Sequence, residues 1–396
     1  MAGGRGGGVR AQPRGAVPGA RRVCERDSLD ARKMKEAPLS FEASAFQCFV
    51  RGLRGVWRDE AYRGSVEAAR RAGSDEPAEI ERKARESAAY QLYSWLERHS
   101  QQFKYYGRYG IVRWMEERKD ELAKVLEESS KRHPELLQLN PALELPEYVR
   151  AVDTHQHGGG IWGDAADAFA YETSSSAYSF SLFNPRTPME LYAATARKLA
   201  PQAKAILDLG CTSGGSTRAL ARVFPGARVI GVDVCAPPLK LAHLRSLEQG
   251  VLTHFRQGNA EKLADADASV DLVASHWLYH EMPPAAVRRS LIEARRVLKN
   301  GGGFMAYDMY LVPGGAIGRW LQAGYAARNN EPFAHTYAGM DMEKELRAAG
   351  FTDIEMKIAH PEPSPEVQAG ELPPHRTHYM TMITAKALPI AARGAT

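Results

Sequence analysis

Four cysteines in 396 residues, Cys24, Cys48, Cys211 and Cys235, are too few and too scattered for a disulfide scaffold, and no C-x-x-C or metal-type pair occurs among them. A reduced, intracellular protein is the expectation. No run reaches the roughly 18 apolar residues of a bilayer-spanning helix, and the start lacks the apolar block of a secretory signal. Membrane insertion is therefore not expected, and the reading is cytoplasmic. Excess charge is missing as well. The formal net charge is +5, but residues 1–33 hold seven Arg and one Lys against Glu25, Asp27 and Asp30, leaving 44 basic and 44 acidic residues from Met34 onward. A neutral body offers no basic face for phosphates, so nucleic acid is not an expected partner.

What is present divides the chain. At 396 residues it exceeds the usual single-domain size, so two folded units are expected. Residues 1–33, rich in Gly and Arg and poor in large apolar side chains, read as a disordered tail. A true start near Met34, an Arg-rich transit peptide and an RNA-binding arm all fit that composition. Residues 34–150 have helical spacing, with Leu92, Trp95, Leu96, His99 and Phe103 on one face and Ile111, Trp114, Met115, Leu122, Val125 and Leu126 on another. Pro134, Pro141 and Pro146 then mark a linker. Residues 151–190 read as a linker or lid and 191–396 as a second folded unit.

In that second unit short apolar runs alternate with amphipathic stretches. Ala205–Leu209, Ala227–Val232, Val270–Ser275, Gly303–Tyr307 and His378–Ala385 read as strands. Ser216–Phe224, Pro238–Gln249, Ala285–Leu298 and Met340–Ala349 read as helices. Such alternation predicts an α/β fold, a doubly wound and mostly parallel Rossmann-like sheet, preceded by the small α-helical domain. Ligands of such sheets bind beyond the carboxyl ends of the strands.

The segment Ala205-Ile-Leu-Asp-Leu-Gly-Cys-Thr-Ser-Gly-Gly-Ser-Thr217 is a buried strand that breaks into a Gly-rich turn and opens a helix that Ser216 or Thr217 can cap. Asp208 lies inside the apolar strand, where an unpaired carboxylate is costly, so it should meet the turn's amides or a cationic ligand. Asp233 ends the next strand, 23 positions beyond Gly210, where a carboxylate can accept both hydroxyls of a ribose. Gly258-Asn-Ala-Glu261 follows a third strand and offers an amide to an adenine edge, and Ser269–Trp277 carries polar and aromatic groups to its strand end.

This order of motifs resembles the class I S-adenosylmethionine-dependent methyltransferases, above all the branch of the ubiquinone and menaquinone biosynthesis enzymes, over about Leu191–Leu388. The resemblance implies S-adenosylmethionine as cofactor. It puts Asp208, Gly210 and Gly214 along the methionine part, Asp233 on the ribose, Asn259 and Ala260 beside the adenine, and His276 near the transferred methyl. Arg295–Gly302 looks like the family's helix-to-strand join. Two departures stand out: Thr212 replaces the middle Gly of the usual loop, which ordinary backbone angles would allow, and Asn259 replaces the usual acid.

Methyl transfer is an in-line displacement that needs alignment and exclusion of water. A hydroxyl or ammonium acceptor also needs a base, and His276, His280 and Glu281 are the candidates. Asp153-Thr-His-Gln-His157 could suggest a metal site, but no second ligand cluster accompanies it and no metal is expected. A Gly-rich lid hinge is preferred to a metal there, in which Tyr171, Tyr178 and Phe180 would fold over the cofactor, and ordinary loop packing is the larger alternative. The insertion Val312–Thr336, with Trp320, Tyr325, Phe333 and His335, suits a lid facing a small-molecule substrate or a homodimer contact. Two other readings stay open. An NAD(P)-dependent oxidoreductase lacks its second loop glycine and a Tyr-x-x-x-Lys here, and a non-catalytic cofactor-binding protein would use the helical domain for assembly.

Overall fold

Apolar runs too short to hide themselves must be hidden by neighbouring elements, and here successive strands and helices cover one another in turn. The computed structural model describes residues 39–158, 160, 162–179, 186–359, 364–376 and 380–388. The expected disordered tail, Phe180 and the expected start of the last strand at His378 lie outside those residues.

Helix α1 (Phe41–Val56) is capped by Ser40, whose Oγ accepts from the Ala43 amide at 3.1 Å, and runs through a π-helical turn (Trp57–Ala61) into α2 (Tyr62–Ala72). Gly73, in the left-handed conformation, ends α2. There follow α3 (Pro77–Ala84), α4 (Ala88–Tyr105), α5 (Ile111–Glu116) and α6 (Lys119–Ser130). The face of α4 turned inward is not the one expected. Leu92 and Trp95 are about half exposed, and Trp95 stacks on His99 at 4.5 Å at the surface. Tyr90, Tyr93, Leu96 and Tyr105 are buried instead, along with Glu97, Gln101 and Lys104. Distant polar partners explain the rotation: Glu97 forms an ion pair with Arg328 at 2.5 Å, and Arg376 donates to the Tyr93 hydroxyl at 3.1 Å. A helix can bury charges when partners from elsewhere meet them.

Beyond α6 the Pro-marked stretch contributes an edge strand, β1 (Leu137–Gln138), and a short helix, α7 (Glu147–Arg150); α8 (Ala165–Ser179) and α9 (Arg186–Leu199) lead into the sheet. The chain then alternates: β2 (Ala205–Leu209), α10 (Gly215–Val223), β3 (Arg228–Asp233), α11 (Ala236–Glu248), β4 (His254–Gln257), β5 (Val270–His276), α12 (Pro284–Val297) and β6 (Leu298–Asp308). Three helices, α13 (Gly315–Asn329), α14 (Pro332–Ala338) and α15 (Met342–Ala349), precede β7 (Phe351–Ile358), α16 (Pro365–Gln368) and β8 (Thr381–Ala387). Among the described residues no helix is long and apolar enough to cross a membrane.

The sheet order is β1-β4-β3-β2-β5-β6-β8-β7, parallel from β1 to β6, with β8 antiparallel to both its neighbours. Both faces are covered, as parallel sheets require. Leu207, Leu209, Ile230 and Val273 pack toward α12 and α15, while Ile206, Val229, Leu272 and Met305 pack toward α9 and α10. Each such buried aliphatic side chain contributes about 1.5–3 kcal/mol. Strand β7 is not an apolar run: Ile354, Met356 and Ile358 are half-buried between exposed Asp353, Glu355 and Lys357, and its register shifts between Thr352 and Glu355, with Asp353 at φ 50°.

The core of the N-terminal helices is not closed by those helices alone. Trp57, Tyr62, Ile80, Tyr90 and Tyr93 share it with Ala316, Trp320 and Leu321 of α13. Trp320 lies 4.9 Å from the Tyr90 ring and donates to Glu81 at 2.7 Å. The insertion expected as a lid or dimer contact therefore docks on the N-terminal helices.

Candidate active site

Connections from β2 run outward through β3 and β4, then return to β5 on the other side of β2, so the sheet's order reverses between β2 and β5. A crevice opens at the carboxyl ends of strands at such a switch point. Here it is a cleft partly open to solvent. Gly210, Thr212, Asp233, Asn259, Ala260 and Leu278 line it from the sheet side. Tyr148, His155, Trp162 and Tyr171 line it from the segment before the sheet, and Glu281 and Met282 from the turn after β5.

The first loop adopts positive φ at Gly210 (70°), Thr212 (44°) and Gly214 (73°). The Thr212 value corrects the expectation of ordinary angles there. A β-branched residue pays roughly 1–2 kcal/mol in that region, and the bond from the Thr212 amide to Asp233 Oδ2 at 2.9 Å holds it. At Gly214 a Cβ would stand 2.6 Å from the Phe255 ring, so both its conformation and its neighbours require glycine. Gly214 is also the N-cap of α10, without a side-chain cap, which corrects the capping role expected of Ser216 or Thr217.

Those two hydroxyls serve Asp208 instead. Ser216 and Thr217 each donate to its Oδ2 at 2.6 Å, and Tyr192 of α9 donates to Oδ1 at 2.9 Å. The fully buried carboxyl thus meets three hydroxyls rather than the turn's amides, and it is not part of the cleft lining. Burial pushes its pKa up to about 6, against the lowering effect of the three donors.

Asp233 does reach the cleft. Its Oδ2 accepts from the Thr212 amide and its Oδ1 from the Cys235 amide, both at 2.9 Å, which fixes the carboxylate across from the Gly210 turn. Burial raises its pKa, and the two amides act the other way. Asn259 uses its Oδ1 to accept from the Glu261 amide at 2.8 Å, with Ala260 beside it on the wall.

His276 is enclosed by aromatic rings: Tyr307 at 5.1 Å, Trp277 at 5.4 Å and Tyr192 edge-on at 5.2 Å. Burial lowers its pKa to about 4, so the ring is neutral. Its Nε2 is buried without a hydrogen-bond partner among the described residues. Trp277, not His276, faces the cleft.

The turn Tyr279–Glu281 holds His280 and Glu281. His280 Nδ1 lies 2.6 Å from Asp308 Oδ1, and its Nε2 lies 3.5 Å from Glu281 Oε1. Burial opposes its charge, but Asp308 and Glu281 outweigh that and hold its pKa well above the usual value. Glu281 is held below the usual carboxylate range, since His280 and His155 outweigh its burial.

The two histidines of the Asp153–His157 motif diverge. His157 stacks on Tyr105 at 4.8 Å with Nε2 3.5 Å from Asp167. His155 turns to the cleft and meets Glu331 and Glu281. Glu331 and Tyr192 carried no signal in the sequence, because neither sits in a motif and both are brought in by packing.

Residues 206–302, which include β2 through β5 and the Gly-rich loop, match the family model described as a methyltransferase domain. Over those residues the chain carries a methyltransferase domain. Sequence likeness falls in the ubiquinone branch. The ubiquinone biosynthesis O-methyltransferase of Nitrosococcus oceani is 32% identical over 136 residues, which cover 34% of this chain and 56% of that protein. Its counterpart from Xanthomonas axonopodis is 31% identical over 163 residues, covering 41% and 66%. The chain thus spans between about two fifths and two thirds of the first of these curated relatives. Among solved structures, phosphoethanolamine N-methyltransferase 2 of Haemonchus contortus in complex with S-adenosyl-L-methionine gives 17% identity over 62% of this chain and 60% of that one, with a TM-score of 0.43. The methyltransferase domain supplies only part of the cleft: Tyr148, His155, Trp162 and Tyr171 come from before the matched residues.

Proposed function

We propose that the cleft binds S-adenosylmethionine and that the protein transfers its methyl group to a small organic acceptor. The observation that carries this is Asp233, a carboxylate pinned by two amides at the cleft wall opposite a left-handed glycine turn. That arrangement suits a ribose, whose paired hydroxyls each donate to a carboxylate oxygen. Gly210 lets the methionine part run close to the backbone, and Asn259 and Ala260 flank the adenine, with Val232 and Met282 as apolar walls. Gly214 shapes the loop from behind, and Asp208 fixes it through Ser216, Thr217 and Tyr192.

When bound, the cofactor supplies a methyl group on a sulfonium, activated for displacement. The protein's part is to align an acceptor, exclude water and take up a proton. Trp162, Tyr171 and Trp277 bring aromatic faces to the cleft, which favour a cation. Of the candidate acid-base groups, Glu281 lines the cleft, whereas His280 stands behind it and orients it. His276, kept neutral by its aromatic enclosure, is suited to shaping the strand end rather than to storing a proton. The names of the curated relatives, O-methyltransferases both, support oxygen as the acceptor atom.

Titration calorimetry with S-adenosylhomocysteine tests the reading. Binding is expected with the full chain, and Asp233→Ala should weaken it by about 10- to 100-fold through loss of charge-assisted hydrogen bonds. Absence of heat on folded protein would remove the cofactor assignment.

A further inference from the structure

Two imidazoles converge on one carboxylate in this cleft, each backed by a second carboxylate. Glu281 Oε1 lies 3.4 Å from His155 Nε2 and 3.5 Å from His280 Nε2. On their far sides, His155 Nδ1 lies 2.9 Å from Glu331 Oε1, and His280 Nδ1 lies 2.6 Å from Asp308 Oδ1. The five residues come from four separate stretches of the sequence, and only the adjacent His280 and Glu281 belong to the stretch matched by the family model.

The two arms differ in access. His280 is 3% exposed and absent from the cleft lining, and the Tyr279 and Met309 amides both donate to its partner Asp308 at 2.7 Å. That arm is closed. His155 lines the cleft, with about a fifth of its side chain exposed. It is also built in place. His155 and Gln156 have φ of 57° and 59°, an uncommon conformation for such residues. Tyr106 donates to the Gln156 carbonyl at 3.0 Å, Gln156 donates to the Arg328 carbonyl at 2.5 Å, and Asn330 donates to the Asp153 carbonyl at 2.7 Å. Those bonds come from α4 and from the end of α13.

We propose that His155 is the base that accepts the proton of a hydroxyl-bearing methyl acceptor, with Glu331 as the positioning residue that fixes its tautomer. The proposal rests on the methyl-transfer reading above. The Glu331 carboxylate 2.9 Å from Nδ1 favours the proton on that nitrogen, which leaves a neutral His155 with its lone pair on Nε2, the nitrogen that faces Glu281. In the step itself the acceptor oxygen bonds to the methyl carbon as the carbon–sulfur bond breaks, its electron pair remaining on sulfur. The O–H electron pair stays on oxygen, and the proton passes to Nε2, from which water removes it before the next turnover.

The groups facing His155 are Glu331, Glu281, Lys104 from α4 and the Tyr171 ring of α8 at 6.2 Å. Burial opposes its charge and Lys104 adds to that, but the two carboxylates outweigh both and raise its pKa above the ordinary 6.5. His155 is therefore protonated in mild acid and becomes a base as pH rises, so turnover should climb with pH through a midpoint above 6.5.

The test uses the full chain with methyl-tritiated S-adenosylmethionine and phenol, catechol and a primary alcohol as acceptor probes. His155→Gln is expected to lower kcat by about 10²- to 10⁴-fold and to remove the rising limb, while S-adenosylhomocysteine affinity stays within about threefold. Glu331→Gln should move the limb to lower pH, and Glu331→Asp should restore part of the shift. Independently of turnover, the His155 imidazole of the wild-type complex with S-adenosylhomocysteine, assigned in NMR spectra by its loss in His155→Gln, should titrate above 6.5. The role is overturned if His155→Gln keeps its kcat, if that resonance titrates at or below 6.5, or if no hydroxyl is methylated while the cofactor product binds. Failure of the wild-type chain to bind S-adenosylhomocysteine would instead overturn the methyl-transfer reading.

Discussion

Replacing Asp208 by Asn should abolish a pH dependence of stability that this carboxyl alone creates. The wild-type group is fully buried and ionises near 6, against 3.8 for its ordinary value. Between those two values the unfolded chain has already released the proton that the folded chain still holds, so the fold is disfavoured progressively as pH rises. The stabilisation is complete below 3.8 and lost above about 6. A shift of about two pH units corresponds to about 3 kcal/mol. In Asp208→Asn the amide has nothing to titrate, and Ser216 and Thr217 can rotate their hydroxyls to accept from it. Urea unfolding followed by tryptophan fluorescence, at steps from about pH 4 to 7.5, gives the stability of both proteins. The wild-type value minus the variant value should fall by about 3 kcal/mol across that range, since other titrating groups cancel in the difference. A flat difference would refute the burial argument. A difference that rises with pH would mean that the three hydroxyls favour the charge more than burial opposes it.

Other consequences are equally direct. His276 should stay neutral down to about pH 5 in NMR titration, and the stability linked to it, present above 6.5, should fade as pH drops toward 4; a midpoint above 6 would contradict its aromatic enclosure. Gly214→Ala should cost about 1–3 kcal/mol in thermal or urea unfolding, because its φ of 73° and the Phe255 ring at 2.6 Å both oppose a Cβ. Glu97→Gln should cost up to about 3–5 kcal/mol by leaving the half-buried Arg328 guanidinium without its buried carboxylate, and a loss below about 1 kcal/mol would show that pair to be dispensable.

The parallel half of the fold was legible because its strands are buried on both faces. Ala205–Leu209 and Val270–Ser275 are largely apolar runs, each interrupted by one Asp, and they end in residues that the sheet brings to its cleft. Asp233 and Asn259 were legible for the same reason, since a strand end or the turn after it fixes where a polar residue emerges. Local patterns failed where distant partners decide the outcome. On α4, buried Glu97 and exposed Trp95 invert the apolar face because Arg328 lies 231 positions away in sequence. Strand β7 was hidden because it is a half-exposed edge strand with charged residues at alternate positions, not an apolar run. In the site, the link from His155 to Glu331 depends on α13 and its following turn docking against the N-terminal helices, and no spacing rule reports such docking.

The wedge of Trp320 and Leu321 between the early helices also bears on how the protein is made. Glu81 leaves the ribosome 239 residues before the indole that completes its surroundings. Until that point Tyr90 and Tyr93 lack the Trp320 and Leu321 side chains that share their core. The first third of the nascent chain is thus left waiting for a piece of the last third, and the finished molecule is stitched end to end.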